Sequence, residues 1–369
     1  MQYRKSFFVA DRIVVKVGVS VLTTDCGDFD QCRIYRIAAA ISELCKSGAK
    51  VVVVTSGAVA AGRDAIVANR PLRTIFDEQA AAAVGQIRLM QAYETAFSSL
   101  GQRVAQILIT RDDICNRKRF INARTTIEML LSKDVIPVVN ENQSVMTEDT
   151  KFCDNDELPV SITNLVEADL LMILTDVDGL SKWDRDARLI PFVRHIPKKM
   201  IEVAAGRGSE SGMLSKFAAV KKAWLCGIPT LILNGRTPIN LVEILSGQNS
   251  GTLFLPGKSS MNRRKHWITC TLQPRGVICV DAGAKFAIEK FGKSLLPSGI
   301  MQVSGNFDRG SCVKVCGFGE SEFACGITQY SQTEIEKLVG RNSKEIKTIL
   351  GYNSGNAVIH RNNLVLVES

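Results

Sequence analysis

The chain has 369 residues, of which 46% are hydrophobic and 22% are charged, a composition typical of a globular protein with a sizeable core. No apolar run reaches the ~18 residues that a membrane span requires, so we expect no membrane association. The formal net charge is +9; residues 262–369 carry 14 Lys or Arg against 9 Asp or Glu, so this more basic tail permits contact with an anionic partner.

Six short apolar segments predict buried β-strands. They are rich in Val, Ile and Leu, and they span residues 12–22, 49–57, 102–110, 135–140, 168–177 and 228–235. Helical patterns lie between them, such as the one over residues 31–48, which closes on Gly48 as a C-cap. This alternation predicts an α/β domain with a mostly parallel sheet sandwiched by helices. Its ligands are expected beyond the C-terminal ends of the strands.

The pattern changes near residue 250. A linker is predicted here, because the sequence contains many Gly, Ser and Pro residues and is followed by NRRKHW. Short β-like runs come after the linker. They are interrupted by one predicted helix at residues 331–340. These runs predict a small β-barrel-like domain. We therefore expect the following division: an α/β domain over residues 1–256, a linker over 257–274, the small domain over 275–358 and a C-terminal tail over 359–369.

Eleven cysteines are scattered along the chain without a CxxC pair, which favours free, buried thiols and a cytoplasmic protein. Cys312 and Cys316 share one face of a predicted strand at a spacing that zinc could use. Zinc would need two more ligands, and the spacing matches zinc sites poorly. We therefore expect no metal bound by the chain itself.

Two of the predicted strands end in residues that could contact an anion. Lys16, just before a glycine turn, is either a solvated strand-end lysine or a phosphate contact. Ser56 follows four valines and opens a helix of small residues. It is either a simple N-cap or, with the backbone amides there, part of a carboxylate or phosphate site.

Further polar residues follow the later strands. Thr175 and Asp176 end one strand, and Lys216 ends the Gly/Ser-rich stretch 206–216, which we expect to be a loop leading to a helix start. That stretch is either a flexible surface loop or a phosphate site served by the lysine. The three histidines lie outside all these motifs. Because a carboxylate acceptor is already ionised at neutral pH, lysines and amides without a histidine suit phosphoryl transfer onto a carboxylate.

Eight motifs occur in a recognisable order and spacing: VVKVGVSVLT, VVVVTSGAVAAGR, AAVGQIRLM, RFINARTTIEMLL, VIPVVNENQSV, DNDELPVSI, ADLLMILTDVDGL and SGMLSK. Together they resemble the glutamate 5-kinases of the amino-acid kinase family. The tail that begins PRGVICVDAGAKF resembles the PUA domain of many bacterial members. The resemblance spans nearly the whole chain, and it implies ATP-dependent phosphorylation of the L-glutamate γ-carboxylate to γ-glutamyl 5-phosphate, the first step of proline biosynthesis.

The resemblance also implies roles for single residues. Lys16 and Lys216 would neutralise the transferring phosphoryl group, and Asp156 would hold those lysines in place. Ser56 and Asn155 would bind glutamate. The nucleotide pocket would comprise Lys16, Thr175, Asp176, Glu210, Ser211, Gly212, Met213, Leu214, Ser215 and Lys216, and Mg²⁺ would arrive on the phosphates of ATP.

Gln143 departs from the family pattern. The family has an aspartate at this substrate-binding position, where it is expected to meet the α-ammonium of glutamate. Losing one charged hydrogen bond costs about 1.5–3 kcal/mol, or roughly ten- to a hundredfold in affinity. Glu141, Glu148 and Asp149 are the alternatives that could supply the lost charge.

Other departures keep further hypotheses open. Val19 replaces a Ser or Thr, Cys153 replaces a Gly, and Glu210 places an acid near the phosphates. Together with Gln143, these changes motivate the hypothesis that the chain is a degenerate kinase, which serves as a metabolite-binding or regulatory protein. A third hypothesis makes the PUA domain an RNA-binding module, which the basic tail permits. The resemblance also implies a homo-oligomer, a dimer or tetramer, and proline as a feedback inhibitor.

Overall fold

The computed structural model describes residues 10–67, 72–146, 157–180, 189–194, 211–256, 272, 274–317, 319 and 321–367, with the backbone alone for residues 211–215. The chain divides into two compact units, Met1–Ser259 and Ser260–Ser369. The linker predicted over residues 257–274 falls almost wholly outside the described residues. Within the described ranges, none of the helices has both the length and the apolar character needed to cross a membrane.

Among the described residues of the first unit, eight strands form one sheet. They are β1 Arg12–Val17, β2 Lys50–Val54, β3 Arg103–Ile109, β4 Val135–Glu141, β5 Leu170–Thr175, β6 Phe192–Val193, β7 Thr230–Asn234 and β8 Thr252–Phe254. Their order is β3-β4-β2-β1-β5-β7-β8-β6. Every pairing from β3 to β7 is parallel, whereas β8 runs antiparallel to β7. The predicted α/β domain with a mostly parallel sheet is confirmed.

Helices connect these strands. They are α1 Val19–Leu22, α2 Gln31–Lys46, α3 Ala58–Val67, α4 Ile75–Ser99, α5 Arg111–Cys115, α6 Arg117–Ser132, α7 Glu157–Leu165, α8 Ser211–Leu225 and α9 Leu241–Leu245. Asp30 begins α2 by accepting hydrogen bonds from the amides of Cys32 and Arg33. The helix ends at Lys46, and Gly48 then takes a φ of +102° that favours glycine, as the predicted C-cap requires.

The central strands of the first unit have continuous apolar sequences because their residues are buried in the core. All six residues of β5 are buried, and Ile13, Val15 and Val17 of β1 belong to one apolar cluster with residues of α2 and α4.

The predicted strand over residues 12–22 is too long. It ends at Val17, because the Gly18 amide donates to the Leu174 carbonyl (3.1 Å) and the Gly18 carbonyl accepts from Val21 (3.1 Å), which begins the turn of α1.

Two glycines let the backbones of α3 and α4 touch. A β-carbon added to Gly85 would lie 1.8 Å from the carbonyl oxygen of Ala58, and one added to Gly62 would lie 2.0 Å from that of Ala81. Both distances are far too short for real atoms, and the atoms that would be hit belong to backbone. The two helices therefore pack as a single piece at this crossing.

Gly85→Ala is expected to destabilise the protein, since the added methyl group must push α3 away from α4. Overpacking of this kind typically costs about 1–3 kcal/mol. Thermal unfolding would show a lowered Tm for this variant. Ile87→Ala, at an exposed position of the same helix, is the matched control and should change the Tm little. Equal melting temperatures for Gly85→Ala and the parent chain would contradict the close approach.

In the described part of the second unit, five strands form a separate sheet: β9 Gly276–Val280, β10 Ile300–Gly305, β11 Cys312–Gly317, β12 Glu322–Ile327 and β13 Leu364–Leu366, in the order β10-β9-β11-β12-β13. Only β9 and β11 pair in parallel among these neighbours. Three helices accompany the sheet: α10 Ala282–Phe291, α11 Gln332–Leu338 and α12 Ile346–Leu350. The predicted β-rich C-terminal domain and its helix within residues 331–340 are confirmed, but the prediction of a single helix is wrong, because α10 and α12 are also present.

The cysteines differ from the expectation of uniformly free, buried thiols. Cys26 and Cys32 are free but exposed, and Cys226 is disulfide-bonded. Cys312 and Cys316 lie on the same strand, but each has its sulfur beside that of a different cysteine on a neighbouring strand. The described residues contain no group of three or more His, Cys, Asp or Glu side chains that could hold a metal ion.

Candidate active site

Parallel pairing brings the carboxyl ends of β1, β2, β4, β5 and β7 to one edge of the sheet. Lys16 lies opposite both Val54 and Ile173, and Thr175 lies opposite Asn234. The hydrogen bonding between β2 and β4 continues one residue beyond the end of β2, where the Thr55 amide donates to the Val139 carbonyl (2.9 Å). The residues that the sequence places at strand ends are therefore neighbours along this edge.

A cavity of about 450 Å³ opens beside the ends of β2 and β4. Ser56 and Gln143, both predicted to bind substrate, line it together with Glu141. Arg63 and Glu78 also line it. Arg63 ends the second of the eight motifs, but neither residue was predicted to bind substrate. The wall thus offers two carboxylates, one guanidinium, two hydroxyls and amides, which suits a small molecule that carries charges of both signs.

Buried polar side chains of α4 support the floor of this cavity. The hydroxyls of Thr55 and Tyr93 are 2.9 Å apart, and Tyr93 is completely buried. Burial raises the pKa of Tyr93 well above its usual value, so its hydroxyl stays protonated. The side-chain amide of Asn140 donates to Gln86 Oε1 (2.7 Å), and Asn140 Oδ1 accepts from the Glu141 amide (2.9 Å). These bonds fix the strand ends from which the cavity wall projects.

Lys16 is not a solvated surface lysine. Its residue is 5% exposed, and its ammonium lies beside the turn at Gly18: a β-carbon added to that glycine would be 3.6 Å from Lys16 Nζ. The same β-carbon would be 3.3 Å from the Leu174 carbonyl oxygen, so the turn has little room for a side chain. This burial excludes the interpretation of Lys16 as a solvated strand-end lysine.

Lys216 reaches the same edge from α8. Its Nζ lies 3.5 Å from Asp176 Oδ1, directly after β5. Since Lys16 lies opposite Ile173 of β5, both lysines sit by the C-terminal end of that strand. Residues 200 positions apart in the sequence are thus brought to one end of one strand.

Asp176 stays ionised in this arrangement. Partial burial opposes its ionisation, but the Thr175 hydroxyl donates to Asp176 Oδ1 (2.9 Å) and the charge of Lys216 adds attraction. Together these interactions hold the pKa of Asp176 below its usual value. The site therefore keeps a carboxylate and an ammonium paired at neutral pH.

The stretch 206–216, part of which was predicted to bind the nucleotide, enters its helix earlier than expected. The prediction of a loop up to Lys216 is wrong at its end, because α8 already begins at Ser211. Met213, Leu214 and Lys216 favour helix, and a single glycine at position 212 is tolerated in a first turn. The side chains of Ser211, Gly212, Met213, Leu214 and Ser215 are not described. Asn155, Asp156, Cys153 and Glu210 lie outside the described residues.

Asp176→Asn is expected to lower the free energy of unfolding at neutral pH and to matter less in acid. The folded-state pKa lies below the unfolded value of about 3.9, so the stabilisation is present above that value and is lost as the pH falls through the folded-state pKa. Because the side chain is 36% exposed, the effect at pH 7 is at most about 1 kcal/mol.

Urea titrations of both proteins at several pH values measure this difference. It should shrink as the pH falls below about 4. A difference that grows in acid would contradict the proposed pairing.

The comparisons with known proteins agree with this geometry. The model of the amino acid kinase family matches residues 11–234, and the PUA domain model matches residues 276–350. The chain belongs to the amino acid kinase family. Within the amino acid kinases, it resembles a "Glutamate 5-kinase" from Geobacter sulfurreducens with 52% identity over 96% of this chain and 97% of the relative.

Two further amino acid kinases show the same full-length match. The "Glutamate 5-kinase" of Pelobacter propionicus is 47% identical over 99% of this chain and 100% of its own length. That of a Thermoanaerobacter species is 40% identical over 97% of this chain and 98% of its own length. The resemblance inferred from the eight motifs and the PUA-like tail is confirmed.

Proposed function

We propose that this chain is a glutamate 5-kinase that transfers the γ-phosphoryl group of ATP to the γ-carboxylate of L-glutamate, giving γ-glutamyl 5-phosphate for proline biosynthesis. The observation that carries the proposal is the pair Lys16 and Lys216 at the end of β5, beside a cavity with side chains of both charges. The similarity to glutamate 5-kinases over nearly the full length of the chain supports glutamate as the phosphoryl acceptor.

Glutamate has two carboxylates and one ammonium, and the cavity offers partners for each. Arg63 and the Ser56 hydroxyl suit a carboxylate, while Glu78 and Glu141 suit the ammonium. In this proposal Gln143 contributes an amide in place of the charge that its position usually carries in the family. Asn155 is included among the glutamate-binding residues only because the family resemblance implies that role.

The chemistry needs charge and position more than it needs a base. A γ-carboxylate is ionised at neutral pH and attacks the γ-phosphorus without giving up a proton. Lys16 and Lys216 would offset the negative charge that develops between the attacking carboxylate and the departing ADP. Asp156 would orient these lysines. Thr175, Asp176 and residues 210–216 would hold the nucleotide.

Mg²⁺ is the metal that ATP chemistry implies, and Asp176 is a described residue that fits it. This carboxylate is ionised and partly exposed, and Mg²⁺ is typically held by one or two carboxylates, waters and substrate phosphates. When bound, the ion would neutralise charge on the phosphate oxygens.

Lys216→Ala is expected to reduce turnover about a hundredfold or more, as the loss of one preorganised donor to a developing charge usually does. The measurement is ADP release from Mg·ATP, with glutamate titrated from micromolar to high millimolar concentration. Aspartate and N-acetylglutamate test the choice of acceptor. Lys221→Ala, at an exposed lysine of the same helix, is the matched control and should keep full turnover.

Either of two results would count against this proposal. Full turnover in Lys216→Ala would contradict the role of that lysine. The absence of glutamate-dependent ADP release by the parent chain at every concentration would favour the degenerate kinase.

Gln143→Asp is expected to lower the KM for glutamate ten- to a hundredfold and to change kcat little. The new carboxylate restores a charged hydrogen bond to the substrate ammonium, worth about 1.5–3 kcal/mol. Gln143→Asn is the matched control, because it has the shape of aspartate without the charge. Equal KM values for these two variants would show that charge at this position is irrelevant.

Several partners remain part of the proposal. Proline shares the α-carboxylate and ammonium of glutamate and is smaller, so inhibition at the same cavity is consistent with its lining. A homo-oligomer and the cytoplasm, where ATP is supplied, are expected from the resemblance. The degenerate-kinase and RNA-binding alternatives gain no support from the comparisons.

A further inference from the structure

The second unit has a row of cysteines on one face of its sheet. Side chains alternate along β11, so Val313 and Val315 point into the apolar core of the unit, and the opposite face carries Cys312, Lys314 and Cys316. Lys314 is exposed there and pairs with Glu322 (2.6 Å). Cys312 and Cys316 therefore lie on the face opposite the cluster of Val313 and Val315, although both are themselves buried.

Cys279 of β9 lies directly beside Cys316 of β11. The two residues are partners in the parallel register, and their sulfur atoms are 2.9 Å apart. Neighbouring strands are about 4.8 Å apart, which lies within the range of Cα separations that a disulfide spans. The strand pairing thus holds these two thiols where they can join without moving the backbone far.

The two thiols differ in their access to solvent. Cys279 is half-buried, whereas Cys316 is buried with 8% of its residue exposed. A small oxidant can therefore reach Cys279 first, and Cys316 is positioned to react with the sulfur of Cys279. This order is typical of an attacking thiol paired with a resolving thiol.

We propose that Cys279 and Cys316 form a reversible disulfide that makes the second unit a site of redox modification. With a small disulfide such as glutathione disulfide as the oxidant, the Cys279 thiolate attacks one sulfur, and the S–S bond breaks to release one glutathione. The Cys316 thiolate then attacks Cys279 sulfur and releases the second glutathione. Two protein thiols are oxidised, one small disulfide is reduced, and both protons leave on the two glutathiones.

A second pair on the same face serves as an internal comparison. Cys312 and Cys325 are hydrogen-bonded through their side chains, but both are buried, with 4% and 8% exposed. They occupy diagonal positions on β11 and β12, since Cys312 lies opposite Ile327 and Cys325 lies opposite Lys314. The half-buried Cys279 therefore makes its own pair the first to react.

The test uses the full-length protein equilibrated in glutathione buffers of increasing oxidised fraction, followed by alkylation and peptide mapping. The expected result is a peptide that joins Cys279 to Cys316, formed before any link between Cys312 and Cys325. An excess of reduced glutathione should restore two alkylated thiols. Failure to restore them would overturn reversibility, and alkylation of both thiols in the most oxidising buffer would overturn the proposal.

Single variants separate the two steps. Cys316→Ser should trap glutathione on Cys279, because the resolving thiol is gone, whereas Cys279→Ser should leave Cys316 without glutathione. Cys32→Ser, at an exposed thiol of the first unit, is the matched control and should still form the link. Glutathione that persists on Cys279 in the parent chain would overturn the proposal, since it would show that Cys316 does not resolve it.

Discussion

The parallel hydrogen bonding of β1, β2, β4, β5 and β7 is the constraint on which the first unit depends. Parallel neighbours need a crossover between them, and here the crossovers are helices that cover the sheet. The strands must then be apolar on both faces, as the fully buried β5 illustrates. Polar side chains are left with the strand ends, and because the strands run the same way, those ends meet at one edge.

Because the strand ends meet at one edge, the packing of the sheet also brings charged side chains together there. An ammonium as buried as that of Lys16 acts through a lower effective dielectric than a surface lysine, so it interacts more strongly with a nearby charge. Lys216 is held to the same place by Asp176, and α8 is tied to α7 because Lys222 pairs with Glu157 (3.1 Å). Helix α7 begins directly after the segment that contains Asp156, so these ion pairs link α8 to the helix that follows this segment.

The sequence predicts what buried strands determine and misses what depends on packing between distant segments. Lys16 was predictable at its edge because it follows an unmistakable apolar run. The place of Arg63 and Glu78 in the cavity wall was not predictable, since it depends on how α3 crosses α4 through two glycines. Likewise, the cysteine pair in β9 and β11 depends on strand register across a separation of 37 residues, which no local pattern encodes.

The contact between Gly62 and Gly85 has a mechanical consequence. Helix α3 forms part of the cavity wall, and α4 has 25 residues, so it is about 37 Å long. With no side chains between the two backbones at the crossing, no rotamer change is available to absorb a displacement there. A displacement of α3 at this crossing is therefore passed directly to the backbone of α4 and is not absorbed by side chains.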